Sequence, residues 1–95
     1  MIFGQKLREL REKNCLVLRK VAAELDIDTA TMSKIERGDR SAKKKHLPIL
    51  ANLFKISQEE LKTLWLADKI CDLVSNEDVA IKALKRAESE LKVIK

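Results

Sequence analysis

A chain of 95 residues is long enough for one packed domain and too short for two separate hydrophobic cores. Only 3% of the residues are aromatic and 37% are charged, a composition that favours amphipathic helices over strands. The net charge of +5 is concentrated in residues 1–55, which hold 13 Lys and Arg against 7 Asp and Glu. This half of the chain suits nucleic acid, an anionic membrane surface or simple solvation.

The fold class and several function classes follow from what the sequence lacks. With two Gly, one Pro and no alternating run of β-branched residues, the sequence predicts an all-α protein. No uninterrupted apolar run reaches about 18 residues, so we expect a soluble cytoplasmic protein with no membrane partner. Cys15, Cys71 and His46 have no second Cys or His at metal-ligand spacing, and both cysteines are expected to be buried free thiols. Because no catalytic triad or phosphate-binding glycine loop is present, we expect no enzyme, no catalytic residue, no metal and no cofactor.

The first two helices are indicated by apolar residues at helical spacing. One helix is predicted over about 2–13 and ends at Asn14 and Cys15. Asn14 is a suitable stop because Asn tolerates the left-handed conformation that closes a helix. A short second helix over about 18–25 places its apolar side inward and its charged side outside. The apolar positions of the two helices are Ile2, Phe3, Leu7, Leu10, Leu18, Val21, Ala22 and Leu25.

The third helix, over about 29–37, has well-defined ends. Asp28 is a good N-cap, and Gly38 supplies the C-terminal stop. Met32 and Ile35 form an apolar side, and the other positions are mostly small or cationic. A helix with short side chains can approach base edges in the major groove of DNA closely enough for hydrogen bonds. An ordinary amphipathic surface helix would show the same pattern.

A basic segment separates the third helix from the fourth. Pro48 is tolerated only in the first turn of a helix, so the fourth helix is expected to begin near Lys45 or His46. Three lysines, Lys43–Lys45, then lie at a helix N-terminus, where the macrodipole disfavours each cation by about 0.3–1 kcal/mol before salt screening. An anionic partner would relieve this arrangement, and a solvated loop is the alternative.

Two further helices complete the chain. Ser57 and Glu60 have the spacing of a capping box and predict a fifth helix over about 58–74. Ser75 or Asn76 is expected to cap a sixth helix over about 77–93. Its apolar stripe consists of Val79 or Ala80, Ala83, Leu84, Ala87, Leu91 and Ile94. The stripe can cover the fifth helix of its own domain or pair with a second subunit.

The stretch from Leu18 to Gly38, LRKVAAELDIDTATMSKIERG, resembles the helix-turn-helix of phage repressors and Cro proteins, the XRE family. Its closing Ser-Lys-Ile-Glu-Arg-Gly is the most characteristic part, and the apolar pattern of the fourth helix agrees with it. The resemblance implies a five-helix lambda-repressor-like DNA-binding domain over residues 1–66. Residues 67–95 would form a helical extension, continuous with that domain, for dimerisation or packing.

The sequence departs from this family at three positions. Cys15 and Asp26 stand where Gly is common, and the fold should tolerate both because neither position is always Gly in the family. Leu18 stands where many members have a Gln that contacts the DNA backbone. We expect that contact to be absent and to be replaced by one from Arg19.

The resemblance implies binding to double-stranded DNA and assigns roles to two groups of side chains. The base-reading residues are Thr29, Ala30, Thr31, Ser33 and Lys34. The phosphate-binding residues are Arg19, Lys20, Arg37, Arg40, Lys43, Lys44 and Lys45. Lys34 is the strongest base-reading candidate because its ammonium can donate to O6 and N7 of guanine, and a phosphate contact is its alternative role. Glu36 is expected to be structural.

The function implied by the resemblance is transcriptional regulation by a repressor that binds a two-fold operator as a homodimer. A dimer is favoured because one small reading head contacts too few base pairs for high specificity. The residues expected at the dimer interface are Leu64, Trp65, Leu84, Leu91 and Ile94. The alternative function is that of an antitoxin, in which the same domain also binds a toxin protein.

Overall fold

The computed structural model describes residues 2–95, and in this range it is all-helical with no strand. Its six helices are α1 (Ile2–Lys13), α2 (Leu18–Glu24), α3 (Thr29–Arg37), α4 (His46–Phe54), α5 (Gln58–Val74) and α6 (Ala80–Ile94). The predicted fold class is confirmed. The bounds of α1, α3 and α5 are those that the sequence predicted.

The first five helices share one hydrophobic core. α1 packs against α3 and α5, α2 packs against α3, and α4 packs against α5. Leu7, Met32, Leu50 and Leu61 come from four different helices and are fully buried. Burying one such side chain stabilises the fold by roughly 1.5–3 kcal/mol, so these contacts hold the helices in one unit.

The start of α1 depends on two contacts with distant parts of the chain. The Asp68 carboxylate on α5 accepts hydrogen bonds from the N–H groups of Ile2 (3.0 Å) and Phe3 (2.8 Å), which have no partner inside α1. Gly4 lies against the end of α3, and a Cβ built on it would stand 2.5 Å from the carbonyl oxygens of Ile35 and Glu36. Any larger residue at Gly4 would therefore push α1 and α3 apart.

Three non-glycine residues take the left-handed backbone conformation at helix ends. Cys15 (φ 55°) follows α1, Asp26 (φ 56°) lies in the turn between α2 and α3, and Lys55 (φ 54°) follows α4. This conformation explains why Gly is common at the first two positions in the family that the sequence resembles. α1 ends just before Asn14 and Cys15, as predicted, but the left-handed residue is Cys15 and not Asn14. The side-chain amide of Asn14 donates to the carbonyl of Leu10 (2.7 Å).

The junction between α5 and α6 also differs from the prediction. α6 begins at Ala80 rather than near residue 77, and neither Ser75 nor Asn76 caps it. Ser75 is the C-cap of α5, where its hydroxyl donates to the carbonyl of Asp72 (3.5 Å). No residue of α6 is buried, so this helix lies outside the core of the first five.

Both cysteines are free and exposed, which contradicts the prediction of buried thiols. Cys15 lies in the turn after α1. Cys71 lies in the C-terminal half of α5, beyond the buried Leu61. Apolar character alone therefore did not decide their burial.

Candidate nucleic-acid interface

Two helices joined by a short turn position the predicted reading surface. Val21 and Ala22 on α2 are buried, as are Met32 and Ile35 on α3, and the two helices are in direct contact. The turn between them is closed by a hydrogen bond from the N–H of Ile27 to the carbonyl of Ala22 (3.0 Å). The side of α3 opposite the buried pair therefore faces outward.

Both ends of α3 are capped as the sequence predicted. The Asp28 carboxylate accepts a hydrogen bond from the N–H of Thr31 (2.7 Å), and Gly38 ends the helix with φ 82°. The hydrogen bond from Thr31 lowers the pKa of Asp28, and the positive charges of Lys34 and Arg40 lower it further. The cap is ionised at neutral pH, which keeps the start of α3 in place.

The five predicted base-reading residues differ in how far they reach solvent. Thr29, Ala30 and Lys34 are exposed, whereas Thr31 and Ser33 are half-buried. Successive helical residues are rotated by about 100°, which places Ala30 and Lys34 opposite the buried side of α3. The outward face thus consists of short side chains with a single long cation, Lys34, among these five residues.

The seven predicted phosphate-binding side chains are all exposed. Arg19 and Lys20 stand in the first turn of α2, and the other five lie at or after the end of α3. Arg37 is already engaged, because its Nε donates to Asp39 Oδ2 (3.1 Å) and its Nη1 to Ser33 Oγ (3.4 Å). Across residues 2–95 the remaining six form no ion pair with a carboxylate. They are therefore available to an anionic partner.

A buried ion pair holds the end of α3 against α1. Nε and Nη2 of Arg11 donate to the Glu36 carboxylate at 2.7 Å and 3.2 Å, and Nη1 donates to the carbonyl of Leu16 (3.0 Å). The Glu36 side chain is 7% exposed. The hydrogen bond with Glu36 raises the pKa of Arg11 above its ordinary value, although burial of Arg11 acts in the opposite direction and lowers it. The geometry agrees with the structural role expected for Glu36, and the sequence did not identify Arg11 as its partner.

The basic segment after α3 is anchored to α5. The buried Ala42 accepts a hydrogen bond through its carbonyl from Nε1 of Trp65 (2.8 Å). Nζ of Lys69 donates to Ser41 Oγ (3.0 Å) and lies 4.5 Å from the centroid of the Trp65 ring, a cation–π contact. We call Ser41, Ala42, Trp65 and Lys69 the loop clamp. Sequence reasoning missed it, because its partners are 23 and 28 residues apart.

His46 supports the same segment from inside. It is 4% exposed, and its Nδ1 accepts a hydrogen bond from the N–H of Lys43 (3.4 Å). Burial lowers the pKa of His46, and the charges of Lys45 and Lys43 lower it further. His46 is therefore neutral at pH 7 and can accept this hydrogen bond.

The residues expected at a dimer interface fall into two groups. Leu64 and Trp65 are half-buried and pack against the core. Leu84 is half-buried on α6, and Leu91 and Ile94 are 53% and 74% exposed. The members that face solvent are therefore those at the end of α6.

In the part of the chain that the structure describes, no group of three or more His, Cys, Asp or Glu side chains could hold a metal ion. None of its helices combines the length and apolar character needed to cross a membrane.

Comparison with other proteins agrees with this geometry. The family described as a helix-turn-helix domain matches residues 2–64. The chain is also similar to the uncharacterized HTH-type transcriptional regulator RghRB of Bacillus subtilis (strain 168), with 42% identity over 60 residues. The matching region makes up 62% of this chain and 43% of that relative, so the chain spans less than half of the relative's length. No solved structure matches the chain.

Proposed function

The chain belongs to the helix-turn-helix domain family, and from this premise we propose that it regulates transcription by binding double-stranded DNA of a specific sequence. Within the family we infer the phage-repressor and Cro type, with residues 1–66 as the DNA-binding domain. The observation that carries the proposal is the outward face of α3, where short side chains surround one lysine on a helix capped at both ends.

Sequence specificity arises at α3. Lys34 donates to O6 and N7 of a guanine, and the methyl groups of Thr29 and Ala30 contact thymine methyls. The half-buried hydroxyls of Thr31 and Ser33 contact a base or a phosphate beside them. Because Ala30 has no long side chain, the backbone of α3 can approach the floor of the major groove closely.

Affinity arises from the basic residues around α3. Six of them, Arg19, Lys20, Arg40 and Lys43–Lys45, form no ion pair within the described chain and can each neutralise a phosphate. Arg37 contributes a seventh contact if it exchanges Asp39 for a phosphate. Phosphates near Lys43–Lys45 would also relieve the unfavourable placement of three cations at the N-terminus of α4.

We further propose that the chain acts as a repressor and binds a two-fold operator as a homodimer. Two reading heads on one duplex read two half-sites, which gives the specificity that one small head lacks. A repressor needs only to occupy its operator, and the surfaces described above suffice for that. The exposed Leu91 and Ile94 at the end of α6 support a protein partner in this region.

The same exposed apolar residues fit a second candidate function. An antitoxin would use them to bind a toxin protein while α3 holds the operator. Purification together with the product of a neighbouring gene would favour the antitoxin, and purification as a homodimer would favour the repressor.

The proposal is tested by selecting binding sites from a random duplex library and measuring retardation of the selected duplex. We expect enrichment of a two-fold sequence. With six phosphate contacts per copy, affinity should fall by about 10³-fold per copy between 50 and 200 mM salt. A library without enrichment, or affinity that does not change with salt, would overturn the proposal.

A matched pair of variants separates the effect of the basic segment on DNA affinity from the effect of net charge. Replacing Lys43, Lys44 and Lys45 by Gln should weaken binding and make it less dependent on salt. Replacing Lys13, Lys55 and Lys62 by Gln removes the same charge from exposed positions outside α3, the basic segment and α6. This control variant should bind DNA almost as the unmodified chain does.

A further inference from the structure

Arg37 differs from the other predicted phosphate-binding residues because its charge is already paired. It stands three residues after Lys34, and residues at this spacing are neighbours on one face of a helix. The Arg37 side chain is 59% exposed on this face. Within residues 2–95 it is the one member of the seven that forms an ion pair.

The guanidinium of Arg37 is held on both sides. Its Nε donates to Asp39 Oδ2 at 3.1 Å, and its Nη1 donates to Ser33 Oγ at 3.4 Å. Ser33 lies one turn earlier in α3, and long side chains on a helix point toward its N-terminus. The guanidinium therefore lies back along α3, between the reading surface and the Asp39 carboxylate.

Asp39 owes its position to the cap of α3. The N–H of Asp39 donates to the carbonyl of Lys34 (2.9 Å), and the N–H of Gly38 donates to the carbonyl of Ile35 (3.1 Å). These two bonds, with the left-handed Gly38, form the Schellman motif that ends a helix. The backbone of Asp39 is thus fixed to the end of α3 and moves with that helix.

The charge of Asp39 is opposite to that of its surroundings. It is the one carboxylate in residues 37–45, a stretch that also holds five lysines and arginines. Its side chain is 61% exposed. When α3 and the basic segment approach a duplex, this carboxylate approaches the phosphates with them, and like charges brought together weaken binding.

We propose that Asp39 cancels the contribution of Arg37 to phosphate binding and so limits the affinity of the chain for duplex DNA. If the pair stays intact, it enters the interface as a neutral unit and releases no counterion. If Arg37 turns to a phosphate, it leaves an unpaired carboxylate beside the same backbone. Neither arrangement adds a net contact to those of the other six cations. This inference concerns the regulation of the DNA-binding surface and thus rests on the proposed function.

Limited affinity has a consequence for the choice of binding site. Phosphates are the same on every duplex, so a contact to them strengthens specific and non-specific binding alike. Non-specific sites greatly outnumber operators, and each added phosphate contact holds more of the protein on them. Asp39 lowers this background, while the residues of α3 that read bases are unchanged.

The salt dependence of binding tests the inference, because its slope counts phosphate contacts. Retardation of the selected duplex and of a random duplex is measured at several salt concentrations between 50 and 200 mM. The variants are Asp39→Asn, Arg37→Gln combined with Asp39→Asn, and the control Glu9→Gln. Glu9 is exposed on α1 and forms no ion pair within residues 2–95, so its substitution removes the same charge without releasing a cation. An exposed ion pair adds little to folding stability, and circular dichroism checks that all variants are folded.

Asp39→Asn should bind both duplexes more tightly, with a slope of log affinity against log salt that is steeper by about 0.9 per copy. Between 50 and 200 mM salt its affinity should thus fall by a further 3–4-fold or so per copy compared with the unmodified chain. The double variant replaces a neutral pair by two neutral amides, so its slope should return to that of the unmodified chain. Glu9→Gln should leave the slope unchanged.

Three results would overturn the inference. The slope of Asp39→Asn may equal that of the unmodified chain, which would mean that Asp39 withholds no contact. The double variant may keep the steeper slope, which would assign the gained contact to a cation other than Arg37. Asp39→Asn may lose preference for the selected duplex, which would make Asp39 a residue that positions Arg37 on a base.

The same measurements separate this inference from the proposed function. A chain that binds the random duplex as tightly as the selected one overturns sequence-specific regulation, whereas a steeper slope of Asp39→Asn would still support the inference. A chain that prefers the selected duplex and shows no change in slope at Asp39 overturns the inference alone. A chain that binds neither duplex overturns both.

Discussion

Arg11 and Glu36 join α1 to the end of the helix that carries the proposed reading surface. Two hydrogen bonds connect the side chains, and Arg11 makes a third to the carbonyl of Leu16. Because Glu36 is almost fully buried, solvent cannot take over its role if the carboxylate is removed. Glu36 thus holds the end of α3 in place and, under the proposed function, would act on DNA binding only by positioning this helix.

Glu36→Gln should lower the free energy of unfolding by about 1.5–3 kcal/mol, the usual worth of a hydrogen bond to a charged group. Urea unfolding followed by the fluorescence of the single Trp, Trp65, measures this change. Glu90→Gln is the control, since Glu90 and Arg86 form an exposed pair at 3.9 Å on α6 and should contribute less than about 1 kcal/mol. Equal effects of the two substitutions would contradict a structural role for the buried pair.

The left-handed backbone conformation of Cys15 has a cost in free energy that can be measured. A non-glycine residue in the left-handed conformation costs about 1–2 kcal/mol, whereas Gly loses about 0.5–1 kcal/mol more through chain entropy on folding. Cys15→Gly should therefore stabilise the protein by roughly 0.5–1 kcal/mol. Cys15→Ala keeps the Cβ atom and should stay within about 0.5 kcal/mol of the unmodified chain. If both variants shift the urea midpoint equally, the thiol and not the backbone is responsible.

At the scale of elements, the sequence predicted those helices whose ends are set by neighbouring residues. Asp28 and Gly38 act locally, so the bounds of α3 could be predicted from the residues alone. The start of α6 could not be predicted in this way. Ser75 was expected to cap the N-terminus of α6, but it serves instead as the C-cap of α5. The left-handed position of Cys15 was suggested only by the family resemblance, since Asn14 beside it has the stronger intrinsic preference.

Contacts between distant elements were beyond sequence reasoning. Gly4 fits against the end of α3, and Asp68 caps the start of α1 from the other end of the domain. Neither residue lies in a recognisable pattern with its partner, because these contacts exist only once the helices are packed. The loop clamp likewise joins residues that are far apart in the sequence and meet only in the folded chain. The proposed DNA-facing residues and the caps of α3 could be chosen from the sequence, whereas the contacts between distant elements that hold α3 and the basic segment could not.

Trp65→Phe tests the loop clamp as a unit. The substitution removes the indole N–H that binds Ala42, and so loosens the segment that carries Lys43–Lys45. We expect DNA affinity to fall by about 3–10-fold, consistent with the loss of one hydrogen bond of roughly 1 kcal/mol. The salt dependence should stay the same, because every cation remains.

Thr63→Val is the matched control for this test. It removes another hydrogen bond from an α5 side chain to a backbone carbonyl, that of Glu59 (2.7 Å), without touching the basic segment. Circular dichroism checks that both variants are folded. If both bind the selected duplex with unchanged affinity, the clamp does not position the basic segment.

At the scale of the whole molecule, the chain divides two tasks between its two parts. Residues 1–55 carry most of the positive charge, the proposed reading helix and the basic segment. Residues 56–95 are nearly neutral and carry the apolar groove between α5 and α6. α5 connects the two parts, because one of its sides packs against the core and the other lines the groove. Changes at the groove should therefore leave the core of the first five helices in place.

The proposal that α3 reads the sequence of duplex DNA is tested most directly at Lys34. The measurement is the ratio of affinities for the selected duplex and for a random duplex, taken for the unmodified chain, for Lys34→Ala and for the control Lys82→Ala on α6. We expect a ratio of about 10³ or more for the unmodified chain. Lys34→Ala should lose about 1–3 kcal/mol on the selected duplex alone, a fall of roughly 5–150-fold in the ratio, and Lys82→Ala should leave it unchanged. A ratio near one for the unmodified chain would contradict sequence reading by α3, and a Lys34→Ala variant weakened equally on both duplexes would make Lys34 a phosphate contact.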